Sequence, residues 1–539
     1  MGAARFFRIA GGARVIAVGA VFVLALATGG WLVQRGTRDT QLSAYQTARL
    51  FDEVRQHIAR DFVDSLSEDQ LYRKAVDGVL YELNDPYTRF LPDDRLEQLA
   101  ETTSGNYAGV GLQVDIRDEW LIVMAALPNS PAERVGFQPG DRIIEIDGKP
   151  AQGLTLEEAS NALRGAVGTR VTLLVDRAGA ADQFRVTLPR TRVHVSAVRR
   201  ADMLTSEVGY VELRAFTDST VVELQRAVNG LRARGMKSMV LDLRTNPGGL
   251  LDQGVRVADL FLNRGAPILR TRGRSPEEAQ DYLDNTPQAW PDLPLTVLVD
   301  GRSASATEIV AGALQDHDRA AIVGTPTYGK GSAQTIFRLS GGGLKLTTAR
   351  WYTPVGRSIM RRVPREAEFG IPDEAPRDRP RYKTLGGRTV HGGGGIVPDV
   401  VVGDTLPEAR EAALNAALAG KAQAFRSALA DVSLAVRRGR LVDAPTFQVT
   451  QQLHDMLYDR LESRGVNIPR VVFDDVGPVI SRHLAYEIAR FVFGTDAEFQ
   501  RRAADDQVLR AALRIAHGAR TPEDPLRRLA RAEQADFSG

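Results

Sequence analysis

Cysteine is absent from the chain, which excludes a thiolate nucleophile, a disulfide framework and cysteine-ligated zinc together. Histidine is scarce as well. His57, His194, His317, His391, His454, His483 and His517 are the full set of seven, and none forms an HExxH or other ligand-spaced pair, so no metal or organic cofactor is implied. Excess charge of one sign is lacking too. A formal net charge of +2 on 539 residues, with no polybasic tail and no aromatic interleaving, gives nucleic acid no footprint. Lysine is rare in a particular way: only seven of the 69 basic residues are lysine.

That scarcity makes Lys330, held between two glycines in TPTYGKGSAQ, conspicuous. Arginine stays protonated in almost any protein setting, whereas burial can drive a lysine neutral and let it accept a proton. The plainer alternative is a solvated lysine in a glycine turn. Ser305 stands in GRSASATEI after the apolar run 295–299, a strand-to-helix corner where a helix N-terminus stabilises developing negative charge. Serine and lysine together suggest a nucleophile and its base. His317 lies 12 residues further along the same helix, about 18 Å away at 1.5 Å per residue, and is poorly placed as that base. Gly324 to Lys330 almost spells a phosphate-binding loop. Gly331 stands where Ser or Thr should bind magnesium, and a strand pattern follows instead of a helix, so ATP binding is disfavoured.

The length allows several domains. Arg5, Arg8 and Arg14 precede the uncharged stretch 15–33, which is long enough to span a bilayer as a helix or, with Ala25-Leu26-Ala27 as a cleavage site, to serve as a signal peptide. Either places the remainder in the cell envelope, outside the cytoplasm. Residues 42–99 carry a helical pattern, with Leu50, Val54, His57 and Ile58 on one face and a second run at 69–83 closed by Asn84-Asp85-Pro86. Residues 103–190 read as short strands with one helix: strands at 121–125, 142–146 and 171–175, a hairpin turn at Asp147-Gly148, and a helix opened by a Thr155–Glu158 capping box. This order resembles a PDZ domain, whose carboxylate-binding loop would be Gly109, Val110, Gly111 and Leu112. A tight glycine turn is the alternative. Strands and helices then alternate, which is α/β grammar. Gly248 and Gly249 close the run DLRTNPGG and free backbone amides to face a ligand. Residues beyond 405 are helical, rich in alanine and arginine, with a second capping box expected at Thr495–Glu498.

The words ELNDPYTRFL, YAGVGLQV, DLRTNPGG, GRSASATEIVAGALQDH, GTPTYGKGSAQ, WYTPVGRSI and GGIVPDV, in that order over residues 42–403, resemble the carboxyl-terminal processing, or tail-specific, protease family. The resemblance implies a multidomain α/β chain: a signal peptide or membrane anchor at 1–40, a helical segment at 41–102, an inserted PDZ domain at 103–190, a crotonase-like serine-protease core at 191–404 and a helical region at 405–539. It implies Ser305 as nucleophile, Lys330 as general base 25 residues later, and Gln334 as the residue orienting the lysine. Gly248 or Gly249 with the amide of Ala306 would form the oxyanion hole, and Arg164 would couple the PDZ domain to the core. The implied partners are the C-termini of protein or peptide substrates, with a homodimer or an adaptor left open and no nucleic acid. A charged insertion at 361–388 and the region from 406 onward depart from the common core. A catalytically silent PDZ scaffold is the competing expectation, disfavoured because Ser305, Lys330 and Gln334 are all present.

Overall fold

The computed structural model describes residues 44–180, 182–361, 379–403 and 409–536. The apolar segment expected at 15–33 and most of the charged insertion lie outside these residues. Among those described, no helix is long and apolar enough to cross a membrane.

The described residues form two units, divided between Leu83 and Asn84. In the first, helices Ala44–Asp61 and Glu68–Glu82 are joined by a turn in which Ser67 caps the second helix. The Ser67 hydroxyl accepts from Gln70 N–H at 3.2 Å while the Gln70 side chain accepts from Ser67 N–H at 2.9 Å, satisfying two otherwise orphaned donors. Leu50, Val54 and Ile58 are exposed on the first helix.

The helical pattern expected through residue 99 breaks in the second unit. Asp85 folds back on its own turn, accepting from Tyr87 N–H at 3.2 Å and Thr88 Oγ1 at 2.5 Å. Residues Arg89–Pro92 then pair antiparallel with the long strand Gly342–Tyr352 before a helix resumes at Asp93–Ser104. The strand partner is some 250 residues away, beyond the reach of local periodicity.

Leu112–Arg117, Trp120–Ala126, Arg142–Ile146, Arg170–Asp176 and Phe184–Pro189 run in that order through a six-stranded antiparallel sheet, with Lys149–Pro150 paired to Arg142–Ile146. Leu112–Arg117 is its edge. Asp147 and Gly148 both have positive φ, 50° and 77°, as a two-residue hairpin turn demands. The helix Leu156–Leu163 opens with the expected Thr155–Glu158 capping box.

The following α/β region builds a six-stranded sheet: Val198–Met203, Val208–Leu213, Ser238–Asp242, Leu295–Val299, Ala321–Gly324 and Val400–Val401. All neighbours but the first pair are parallel. Side chains alternate between two cores, as a strand period of two requires. Val211, Leu213, Met239, Leu241, Val297 and Val299 face one core with helices Thr220–Ala233, Leu251–Asp259 and Ala306–Asp316. Tyr210, Val240, Leu298 and Val323 face the other. There the covering helix is Gln507–Ala516, whose Leu509, Ala512 and Ile515 pack on the sheet.

Helices between Ala409 and Phe493 gather around a core of their own, including Leu414, Phe425, Leu457 and Phe473. They dock on the antiparallel sheet. Arg117 makes a buried ion pair with Glu487 at 2.6 Å, Gln423 donates to the Ile116 carbonyl at 2.7 Å, and Arg437 donates to the Pro139 carbonyl at 3.1 Å. The capping box expected at Thr495–Glu498 is absent. Gly494, at φ 95°, caps helix Thr495–Asp505, and the Glu498 carboxylate is drawn instead to Arg490 and Arg502 at 2.5 and 2.7 Å.

Candidate functional site

Three turns at the C-terminal ends of parallel strands meet around Ser305. The turn after Leu295–Val299 is laced to the turn after Ser238–Asp242: Ser303 Oγ donates to the Leu243 carbonyl at 2.8 Å, Ala304 N–H to the Asn246 carbonyl at 3.0 Å, and Thr307 Oγ1 to the same carbonyl at 3.0 Å. Held this way, Ser305 caps helix Ala306–Asp316 at φ 59°, ψ −116°. A non-glycine residue there costs on the order of 1–3 kcal/mol, strain that persists only where the surroundings over-determine it.

Glu308 does much of that determining. Its carboxylate is fully buried and accepts four hydrogen bonds: from Ser305 N–H at 2.8 Å, Thr327 Oγ1 at 2.6 Å, Gly329 N–H at 2.7 Å and Lys330 N–H at 2.9 Å. One side chain therefore ties the serine turn to the lysine loop. Burial pushes its pKa up, and these donors oppose that rise by stabilising the anion. Glu308 had a local signal in the sequence, the capping-box spacing Ser305-x-x-Glu308 at the start of the helix.

Lys330 is half-buried, and its ammonium lies 4.8 Å from the centroid of the Tyr87 ring. Its pKa is pushed down to about 8, first by burial and then by the neighbouring Lys345 charge, with Glu308 and Asp85 pulling the other way. Tyr87 and Lys345 are further site residues that the sequence analysis did not single out. Among the described residues Gln334 makes no hydrogen bond to the lysine amine: its amide donates to Ser332 Oγ at 3.0 Å and Thr347 Oγ1 at 3.4 Å. Among the described residues, no hydrogen bond joins the Ser305 hydroxyl to the Lys330 amine.

The two glycines differ. Gly248, at φ 94°, lies so close to the serine turn that a Cβ would sit 2.8 Å from Ser305 Cβ and 2.9 Å from Ala306 N. Its own N–H is already given to Asn246 Oδ1 at 2.9 Å. Gly249, at φ 150°, is pressed against Phe216, whose carbonyl would be 2.1 Å from an added Cβ. Its N–H and that of Ala306 have no acceptor among the described residues.

Residues 207–368 match peptidase family S41, and residues 122–177 match the PDZ domain. The carboxy-terminal-processing protease of Bartonella bacilliformis is 35% identical over 382 residues, covering 70% of this chain and 80% of that one. The chain belongs to the carboxy-terminal-processing protease family. A Staphylococcus aureus protein named "Probable CtpA-like serine protease" is 34% identical over 327 residues, 60% of this chain and 64% of its own, just under two thirds. The solved photosystem II D1 C-terminal processing protease is 29% identical, covering 66% of this chain and 88% of that one, with a TM-score of 0.35.

In this processing protease, the PDZ loop residues expected to hold a carboxylate form a tight corner. Val110 is buried and its carbonyl accepts from Ala132 N–H at 3.0 Å; the Gly111 carbonyl accepts from Leu127 N–H at 2.8 Å. Gly111, at φ 80°, leaves no room for a Cβ against Ser130. Leu112 begins the edge strand. Gly109 packs under the Tyr107 ring, and the Arg164 guanidinium stacks 5.0 Å above that ring while pairing with Glu101. Arg164 thus contacts the helix before the PDZ domain rather than the serine or lysine turns.

Proposed function

We propose that this protease cleaves peptide bonds near substrate C-termini by an acyl-enzyme mechanism in which Ser305 is the nucleophile and Lys330 the general base. The observation that carries it is the buried Glu308 carboxylate, which fixes the backbone of both residues in one site. The Lys330 amine, neutral in an appreciable fraction near pH 8, takes the Ser305 hydroxyl proton as the oxygen attacks the scissile carbonyl carbon. The amides of Gly249 and Ala306 hold the tetrahedral oxyanion, favoured over Gly248 because Asn246 already occupies its donor. Lys330 then returns the proton to the leaving amine, and in the second half-reaction deprotonates the water that hydrolyses the ester. Gln334 orients the lysine once its amide leaves Ser332 and Thr347.

The arrangement described, with the ammonium over Tyr87, is then a resting one. A terminal carboxylate bound at residues 109–112, with the tail added to strand Leu112–Arg117, favours the aligned state, and Arg164 with Glu101 transmits the preference. Residues 103–190 serve as the tail-reading domain, 191–404 as a crotonase-like core and 405–539 as a helical brace. Residues 1–40 direct the enzyme to the cell envelope. A fluorophosphonate probe should label the wild type and not Ser305→Ala, and casein should be degraded only by the former. Equal labelling, or residual degradation by the variant, would remove Ser305 from the reaction.

A further inference from the structure

A cleft of about 1060 Å³ opens where the PDZ sheet, the parallel sheet and the C-terminal helices converge. Its lining includes Gln113 and Ser130 from the PDZ side and Thr245 from the turn that leads to Gly248. The acidic side chains on its walls are already engaged. Glu212 pairs with Arg199 at 3.1 Å. Glu223 is held by His194 and Ser196, each at 2.5 Å. Asp242 and Asp506 share Arg244 at 2.6 and 2.7 Å. Asp300 accepts from Thr245 N–H at 2.9 Å, and Glu498 sits between Arg490 and Arg502.

Arginines are left over. Arg192, Arg214 and Arg226 line the same cleft, are exposed, and have no carboxylate partner among the described residues. Their placement is informative. Arg192 lies opposite Ala108 in a two-stranded ladder, immediately before the PDZ loop. Arg214 follows the strand Val208–Leu213 and stands two residues from Phe216, whose N–H binds the Gly248 carbonyl at 3.0 Å. Arg192 therefore lies beside the loop at residues 109–112 and Arg214 near the turn of Gly248 and Gly249, while Arg226 lines the cleft from helix Thr220–Ala233. Partial burial of its guanidinium and the nearby Arg199 lower the Arg214 pKa, while Glu212 pulls it the other way.

We propose that this cleft binds an acidic stretch of the polypeptide substrate, so that Asp or Glu residues on the chain are selected by Arg192, Arg214 and Arg226. The assignment rests on the proteolytic reading, which supplies a polypeptide as the molecule passing between the two domains.

The test uses full-length Ser305→Ala protein and two fluorescein-labelled peptides with the same apolar C-terminal residues, one carrying four Glu upstream and the other four Gln. Anisotropy at 50 mM salt should show the Glu peptide binding about tenfold tighter, with the gap closing at 0.5 M salt as charges are screened. Arg192→Gln, Arg214→Gln and Arg226→Gln combined should erase the gap while the circular-dichroism melting curve stays in place. Equal affinities at 50 mM salt, a comparison that needs no cleft variant, would overturn the proposal, as would a triple variant that keeps the full preference. An oligonucleotide of matched charge that outcompetes the Glu peptide would overturn the peptide assignment. Cleavage of both peptides by the wild type is scored separately. Failure there with the Glu preference intact removes the proteolytic reading and leaves the cleft's acidic selectivity standing; cleavage without preference removes the cleft assignment alone.

Discussion

At the scale of the residue, the proposed mechanism asks Lys330 to carry the chemistry, while Glu308 holds the geometry. A guanidinium cannot lose its proton near neutrality, so Lys330→Arg should abolish casein cleavage although charge is kept; retained turnover would end the role of base. The sign of the pH dependence follows from the direction of the shift. Burial and Lys345 lower the lysine to about 8, the neutral amine is the active form, and single-turnover acylation should therefore rise with pH through about 8 and level off above it. A flat profile from pH 6 to 9 would show that no group of this kind titrates in the step. Glu308→Gln replaces an acceptor of four donors by an amide whose NH₂ must face some of them, leaving buried donors unmet at about 1–3 kcal/mol each. We expect kcat to fall by about 100-fold or more with KM little changed, measured on a folded variant, because the residue positions both turns and touches no substrate. A KM effect alone would contradict that role.

At the scale of the element, the helix Ala306–Asp316 is pinned at both ends. Asp316, at its last turn, pairs with Arg357 at 2.5 Å, both side chains fully buried, and Arg357 also donates to Gln315 Oε1 and the His391 carbonyl, each at 3.0 Å. Burial lowers the Arg357 pKa while Asp316 raises it, so the ion pair and its added hydrogen bonds offset a desolvation cost. Asp316→Ala strands that cation and should cost about 3–5 kcal/mol in chemical denaturation; a loss below about 1 kcal/mol would mean that water reaches the arginine. This scale also shows what the sequence could tell. The strand Leu295–Val299 and the Thr155 cap were legible because an unbroken apolar run and a capping box are local signals. The strand Arg89–Pro92 was not, since its partner is Gly342–Tyr352. Ser305, Lys330 and the glycines stand out in the sequence as residue types at a characteristic spacing, and the fold brings the turns that carry them together. Tyr87, Lys345 and the engagement of the Gly248 amide by Asn246 have no local signal, because they depend on which side chains converge.

At the scale of the whole molecule, the C-terminal helices touch both working parts. One covers the second face of the parallel sheet and others grip the PDZ sheet. If tail binding controls alignment of Ser305 and Lys330, amidating a peptide's C-terminus should lower kcat/KM by about tenfold or more in the wild type, as should Arg164→Ala with free-acid peptide. Identical progress curves for free-acid and amidated peptides would show that the PDZ domain exerts no such control.

The grip on the PDZ sheet has a consequence for length. The edge strand Leu112–Arg117 has six residues, but Gln423 already holds the Ile116 carbonyl and Glu487 the Arg117 side chain. A tail added along this edge meets an obstruction after about four residues, roughly 13 Å of extended chain at 3.3 Å per residue. If substrate tails are read along this edge, the helices act as a ruler: they set how much of a tail can be read, and every residue upstream of that stop must turn away from the sheet.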